Sequence, residues 1–174
     1  LADRGRIYGD VRLYDDQGTG IHFYTNREDT IADQEMTVEL SRIDLKQFKK
    51  VLPYLPDVEG WLGGSLHYVD SEGQMMLSAD MNLDNFVYEK SPLGNWAMSG
   101  AYLPGDNNAH HVDGFITYND QEIIYMNGVY QADETGQENI TGELELQHFP
   151  LRVINPFIPE KMVGFTGDID GTLS

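Results

Sequence analysis

Residues 62–81 have the sequence LGGSLHYVDSEGQMMLSADM, and its pattern predicts the fold of most of the chain. Apolar side chains occupy alternate positions, first from Leu62 to Tyr68 and then from Met75 to Met81. The Asp-Ser-Glu-Gly that separates the two runs has the composition of a tight turn. Alternation with period two is typical of a strand with one apolar face. We therefore predict two antiparallel strands joined by a short turn.

The same alternation recurs along most of the chain and predicts roughly ten strands with short connections. Such connections join antiparallel neighbours, whereas parallel strands need long crossovers. The expected fold class is therefore all-β, with the strands arranged as an antiparallel meander. Further runs of alternation include those around Val11, Phe23, Val38, Met98, Ile116, Tyr125 and Leu144.

Two short helices are predicted between strands. The first begins at Asp44, a good N-cap with Gln47 at capping-box spacing, and Pro53 ends it. The second begins near Pro150, whose missing N–H is harmless in a first turn, and Pro156 ends it. We expect each helix to act as a small plug beside the strands.

The two helical segments belong to an internal repeat, with elbows at 48–66 and 151–173. Residues 51–56 (VLPYLP) match residues 154–159 (INPFIP), and 103 positions separate the equivalent prolines. Each elbow is followed by Gly-aromatic-x-Gly, at 60–63 and again at 164–167. This arrangement is typical of a modular protein. We therefore expect residues 1–174 to be a single β-rich segment of a longer, repetitive chain.

Charge and composition exclude several classes of function. Lysine and arginine number 11 and aspartate and glutamate 29, which gives a net charge of −18. Affinity for a phosphate backbone comes chiefly from basic side chains, so we predict no nucleic-acid partner. The chain has no cysteine, which excludes disulfides and cysteine-ligated metals. It also has no run of about 18 apolar residues and no signal-peptide pattern, so any anchor would lie outside this stretch.

Residues 149–159 (FPLRVINPFIP), running into 164–173 (GFTGDIDGTL), resemble the recurring units of the TamB-like family. This family is the inner-membrane component of the bacterial translocation and assembly module and is related to AsmA-like proteins. Residues 48–66 are similar to a more diverged copy of the unit. The resemblance covers roughly a quarter of the chain and places it in the C-terminal β-rich region of such a protein.

The resemblance implies a long antiparallel sheet curled into an open groove or half-pipe, like a folded taco, with an apolar lining. It also implies a periplasmic location in a diderm bacterium and an inner-membrane anchor outside this chain. The implied partners are phospholipid acyl chains or unfolded outer-membrane β-segments, together with an outer-membrane assembly barrel. The implied role is non-enzymatic, in phospholipid transport to the outer membrane or protein assembly within it.

Ten apolar or aromatic residues are the predicted lining of this groove. Methionine suits such a surface because its flexible side chain adapts to acyl chains of varied shape. A closed sandwich or barrel, in which the same side chains fill a core, is the alternative fold. The candidate lining residues are Leu62, Leu66, Tyr68, Met75, Leu77, Met81, Trp96, Met98, Ile116 and Ile123.

A different class of function, a secreted β-sandwich module that binds glycan or protein, is the second hypothesis. It would place aromatic side chains on a flat, solvent-facing patch above a sealed core. The residues that would form this patch are Tyr8, Tyr14, Tyr24 and Trp61.

Patterns that resemble catalytic or metal sites lack the context that such sites need. Residues 168–173 (DIDGTL) match the nucleophile motif of haloacid-dehalogenase-type phosphatases, but the repeat makes them an alternating strand. His110 and His111 are adjacent, so in a strand they would point to opposite faces, and a loop from Pro104 is their expected setting. We therefore predict no enzymatic activity, no catalytic residues, no cofactor and no metal.

Overall fold

A computed structural model describes residues 2–3, 6–26, 33–105, 108–132, 138–158 and 163–174. Within these ranges the chain is mostly β-strand, which confirms the predicted all-β class. The strands are β1 (Ala2–Asp3), β2 (Arg6–Ile7), β3 (Asp10–Tyr14), β4 (Gly20–Thr25), β5 (Gln34–Asp44), β6 (Val58–Ser71), β7 (Gln74–Tyr88), β8 (Ser91–Pro104), β9 (Ala109–Tyr118), β10 (Gln121–Ala132), β11 (Glu138–Pro150) and β12 (Asp168–Leu173). Helix α1 spans Lys46–Val51 and a 3₁₀ helix spans Leu151–Phe157.

Strands β3 to β12 form one antiparallel sheet in which every strand pairs with its neighbours in sequence. Several hairpins close with two residues of positive φ, at Glu72-Gly73, Glu89-Lys90 and Asn119-Asp120. Turns of this kind match the right-handed twist of the flanking strands. The meander therefore follows from short turns, as the alternation predicted.

The sheet is curled but not closed. Among the described strands, β3 pairs only with β4 and β12 only with β11. Phe23 of β4 and Met126 of β10 nevertheless line one cavity. Six strand spacings of about 4.8 Å would put these two residues about 29 Å apart in a flat sheet. Every strand from β4 to β10 contributes to this cavity, so the apolar face is concave across these strands. The open groove, not the closed sandwich or barrel, is the observed architecture.

Three β-bulges strengthen the curl near one end of the sheet. Each contains a non-glycine residue with positive φ, at Arg42 (49°), Asn85 (51°) and His148 (49°). An extra residue in one strand bends that strand and increases the local twist. It also reverses which positions of the strand face each side. Leu40 and Ile43 are three residues apart, yet both lie on the apolar face of β5.

The two elbows share a backbone hydrogen bond from the start of the helix to a glycine of the segment that follows it. The backbone N–H of Leu45, before α1, donates to the carbonyl of Gly60 at 3.0 Å, and the N–H of Leu151 donates to Gly167 at the same distance. The two glycine-containing segments differ, however. Residues 60–63 lie inside β6, whereas residues 164–167 precede β12.

The two helices differ in what they bury. Helix α1 begins at Lys46 with Leu45 as its N-cap, so the predicted N-cap, Asp44, lies one residue too early. The Asp44 carboxylate accepts a hydrogen bond from the N–H of Lys46 at 3.0 Å, and α1 has no buried residue. The second helix is a 3₁₀ helix in which Val153 is only 5 % exposed. Pro156 lies inside this helix and does not end it, contrary to the prediction. Proline fixes φ at a helix-compatible value, so a short helix loses little by containing it.

Replacing Val153 by alanine should lower the free energy of unfolding by about 2 kcal/mol, because it removes two buried methyl groups and leaves a cavity. Val51, on α1, is 78 % exposed and provides a matched control. We expect Val51→Ala to change stability by less than about 0.5 kcal/mol. Urea unfolding followed by circular dichroism measures both. Equal losses would show that the 3₁₀ helix is not anchored through Val153.

Candidate functional site

Apolar side chains form continuous rows across one face of the sheet, which we call the trough. In an antiparallel sheet, directly paired residues lie side by side on the same face. The central row crosses all ten strands through Val11, Phe23, Val38, Leu66, Ala79, Gly100, Gly114, Met126, Leu144 and Leu173. The row beside it contains Ile21, Leu40, Gly64, Met81, Met98, Ile116, Ile124, Leu146 and Gly171. No member of either row is charged or polar.

The opposite face is polar. The row next to the central one contains Arg12, His22, Glu39, Ser65, Asp80, Ser99, Phe115, Tyr125, Glu145 and Thr172, of which only Phe115 is fully apolar. His22 bridges two carboxylates, with Nε2 2.9 Å from Asp10 Oδ1 and Nδ1 3.3 Å from Glu39 Oε2. Hydrogen bonds from Arg12 and His22 hold the pKa of the Asp10 carboxyl below its ordinary value. The acidic side chains of this row, Glu39, Asp80 and Glu145, therefore lie away from the trough.

The trough is uncovered along its middle. Leu66, Leu77 and Met98 are 45 %, 42 % and 45 % exposed, although each lies within a long strand that is paired on both sides. A cavity of about 540 Å³ runs along this region, with Phe23, Val38, Tyr68, Val112 and Met126 among the residues that line it. Burial of apolar surface is the main favourable term in folding, so a face of this size without a covering layer is unusual.

One end of the trough, the closed end, is covered by the 3₁₀ helix. The ring of Phe157 packs against Tyr88 with centroids 4.5 Å apart, and Trp96 contacts Tyr118 at 4.9 Å. Among the described residues, the hydrophobic side chains under 9 % exposed include Leu93, Ile123 and Val153. The aromatic and aliphatic lining of a second cavity, of about 420 Å³, comprises Leu83, Phe86, Leu93, Trp96, Phe149, Val153, Ile154 and Phe157.

The other end of the trough, the polar end, carries the polar side chains of this face. Its members are Asp70, Tyr102, His110, Tyr130 and Glu138, as the pairing register and side-chain contacts place them. The trough therefore has a direction, with a capped apolar end, an apolar middle and an end that offers hydrogen-bonding groups.

The structure places nine of the ten predicted lining residues on the apolar face by register. Leu66, Tyr68, Leu77, Met98 and Ile116 line the central cavity, and Trp96 lines the one at the closed end. Ile123 differs, because it is the extra residue of a bulge between Glu122 and Ile124 and is only 2 % exposed. The prediction omitted Phe23, Val38 and Met126, which follow the same alternation on outer strands.

Three of the four aromatic residues of the alternative binding patch, Tyr14, Tyr24 and Trp61, lie at separate positions on the polar face. Tyr24 stacks on His22 with centroids 4.6 Å apart and donates to Glu39. The guanidinium of Arg42 lies 5.2 Å from the centre of the Trp61 ring. Tyr14 is exposed on the edge strand β3. These rings are separated along the polar face.

The motifs that resembled catalytic and metal sites lie within strands β9 and β12. Asp170, on the edge strand β12, accepts a hydrogen bond from the N–H of His148 at 2.7 Å. His110 and His111 lie within β9 and not in the loop that was predicted for them. His110 faces the trough. His111 faces the opposite side, and its ring lies beside Gly105, 2.6 Å from the position that a Cβ on this glycine would occupy. Within the described ranges, three or more His, Asp or Glu side chains do not cluster in a way that could hold a metal ion.

Among the helices that the structure describes, neither is long and apolar enough to cross a membrane. Comparison with protein-family models, with curated proteins and with solved structures gave no match to this chain.

Proposed function

We propose that this chain is a non-enzymatic, TamB-like segment whose trough binds phospholipid acyl chains. The observation that carries the proposal is an apolar face that crosses ten strands and is left open along its middle. At about 25 cal/mol per Å², covering even part of such a face is strongly favourable. A ligand that covered it would supply the layer that the helices and strands of the described ranges do not.

An acyl chain suits this face better than an extended polypeptide does. The backbone groups of the trough floor are already paired with neighbouring strands, so they offer no hydrogen bonds to a bound peptide. A peptide laid on the floor would leave its own N–H and C=O groups buried without partners, which costs about 1–3 kcal/mol for each group. A hydrocarbon chain has no such groups to satisfy.

The length of the trough also fits an acyl chain. Along β8, Trp96 at the closed end and Tyr102 at the polar end are six residues apart. At about 3.4 Å per residue, this distance is roughly 20 Å. The hydrocarbon core of a bilayer is about 30 Å thick, so an acyl chain spans about half of it. One chain can therefore lie along the floor between the two ends.

The wider role follows from the resemblance of the duplicated elbows to TamB-like units. In that role the chain is a periplasmic segment of an inner-membrane-anchored protein that carries phospholipid toward the outer membrane and works with an assembly barrel there. Sequencing the complete gene tests this assignment. Many further elbow units behind an N-terminal membrane helix would support it, and their absence would contradict it.

Photocrosslinking tests the trough directly. A benzophenone amino acid at Leu66, Leu77 or Met98 should form adducts with lipid when the protein is illuminated with phospholipid vesicles. Ser78 and Ala97 are the next residues along β7 and β8 and lie on the opposite face, so they are matched controls.

We expect lipid-sized mass increases at the three trough positions and not at the two controls. Adducts at none of the trough positions, or equally at all five, would contradict the proposal. Peptide adducts in place of lipid when cell extract is used would favour unfolded β-segments as the occupant.

A further inference from the structure

The polar end of the trough contains a stacked group of two tyrosines and a histidine. The rings of Tyr102 and His110 are nearly parallel, with an interplanar angle of 13° and centroids 5.8 Å apart. The ring of Tyr130 is tilted by 30° relative to that of His110, and their centroids are 5.7 Å apart. Neighbouring strands β8, β9 and β10 supply the three side chains. They therefore form a continuous aromatic wall across three strands where the apolar rows stop.

Among the described residues, the pair of Tyr102 and His110 leaves one hydrogen-bond donor without a partner. The hydroxyl of Tyr102 lies 2.6 Å from His110 Nδ1. If the hydroxyl donates, the neutral ring carries its proton on Nε2 and can donate from there. If Nδ1 donates instead, the hydroxyl proton of Tyr102 is free. In either tautomer the pair can donate one further hydrogen bond to an acceptor such as a phosphate oxygen.

Acidic groups lie at the same end. Tyr130 is hydrogen-bonded to the Glu138 carboxylate, which raises the pKa of the tyrosine. Asp70, on β6, has a buried carboxylate oxygen, Oδ1, without a hydrogen-bond partner in the part of the chain that the structure describes. The carboxylates of Glu138 and Asp70 therefore place negative charge at this end of the trough.

We propose that the polar end binds the headgroup of a zwitterionic phospholipid, with its phosphate toward Tyr102 and His110 and its ammonium toward the acidic and aromatic groups. The acyl chain then runs along the trough toward Trp96 and the 3₁₀ helix. This inference rests on the proposed function, because it assumes that an acyl chain occupies the trough, and it adds the class of lipid and the direction in which it lies.

Charge favours a zwitterionic headgroup over an anionic one. The chain has a net charge of −18, and the two acids at the polar end add a local negative field. An anionic headgroup would be repelled by this field. A phosphoethanolamine headgroup adds no net charge, and its ammonium can contact carboxylates and the faces of tyrosine rings. The donor supplied by Tyr102 and His110 then meets the phosphate.

Calorimetric titration of the whole chain with three single-chain lipids tests this inference. The probes are palmitoyl lysophosphatidylethanolamine, palmitoyl lysophosphatidylglycerol and monopalmitoylglycerol, which share a tail and differ in the headgroup. We expect the ethanolamine lipid to bind about tenfold more tightly than the other two. This is the expected effect of one hydrogen bond to its phosphate together with the contact of its ammonium with the acidic groups.

Two substitutions locate the preference. His110→Leu and the more conservative Tyr102→Phe should each remove most of the preference for the ethanolamine lipid and leave the affinity for monopalmitoylglycerol unchanged. His111→Leu is the matched control, since it alters the adjacent histidine on the opposite face, and it should leave all three affinities unchanged.

The outcomes separate this inference from the function on which it rests. Equal affinities for all three lipids, or an equal effect of His111→Leu and His110→Leu, would overturn the headgroup site and leave the acyl-chain trough standing. Failure of all three lipids to bind would overturn both. Tighter binding of palmitoyl lysophosphatidylglycerol would contradict the inference, because it would show that the polar end prefers an anionic headgroup.

Discussion

Replacing Met98 by glutamate is expected to weaken the binding of an acyl chain at least tenfold while the protein remains folded. Met98 lies in the middle of the trough, between Met81 of β7 and Ile116 of β9. A carboxylate there would have to lose its water, without an ionic partner, when an acyl chain covers it. Burying even a neutral polar group without a partner costs about 1–3 kcal/mol, and 1.4 kcal/mol is a factor of ten in affinity.

The fold should tolerate this substitution because Met98 is 45 % exposed and a glutamate there remains hydrated while the trough is empty. Ala97→Glu is the matched control. It adds the same charge one residue away on the same strand, on the face where Asn82 and Thr117 are the neighbours. Titration with monopalmitoylglycerol and thermal unfolding of both variants check the prediction. An equal loss of affinity in both would mean that net charge, not the trough, governs binding.

Gly64→Ala is expected to lower the free energy of unfolding by about 3 kcal/mol or more. Gly64 has a φ of +133°, a conformation that side chains other than glycine rarely adopt. A Cβ on this residue would also overlap the carbonyl oxygen of Asp80 and lie 2.7 Å from the Cα of Met81. Both atoms belong to the backbone of β7, so relieving the overlap requires the β6–β7 pairing to shift.

The measurement is the midpoint of thermal unfolding, which should fall by roughly 10 °C for a loss of this size in a chain of this length. Gly171→Ala is the control, because the glycine lies in the edge strand β12 and an added Cβ would have no atom within 4 Å. We expect that variant to unfold within about 1 °C of the unaltered protein. Equal stability of the Gly64 and Gly171 variants would show that the close approach of β6 and β7 is not required.

Much of the trough could be predicted from the sequence because strand alternation assigns each residue to a face. Leu66, Leu77 and Met98 follow this rule and lie where it puts them. Ile123 shows where the rule fails. A single extra residue in β10 shifts the register between Glu122 and Ile124, and the side chain at the bulge becomes buried. Alternation in the sequence does not predict such a bulge, because the position of the bulge depends on how β10 pairs with β9.

The polar end could not be predicted from spacing for a similar reason. Tyr102, His110 and Tyr130 are far apart in sequence and come together only through the registers of β8, β9 and β10. The sequence pattern did indicate that adjacent histidines would face opposite sides. It did not indicate that His110 would contact two tyrosines at the end of the apolar rows.

By itself, the sequence determined the strands, their sequential order and the separation of an apolar face from a polar one, because all three depend on local alternation and short turns. Only the tertiary structure decided whether the apolar face is sealed. Alternation requires that such a face be covered but does not specify by what. The curl from the bulges at Arg42, Asn85 and His148, together with a 3₁₀ helix that covers one end alone, leaves the middle of the trough open to a ligand.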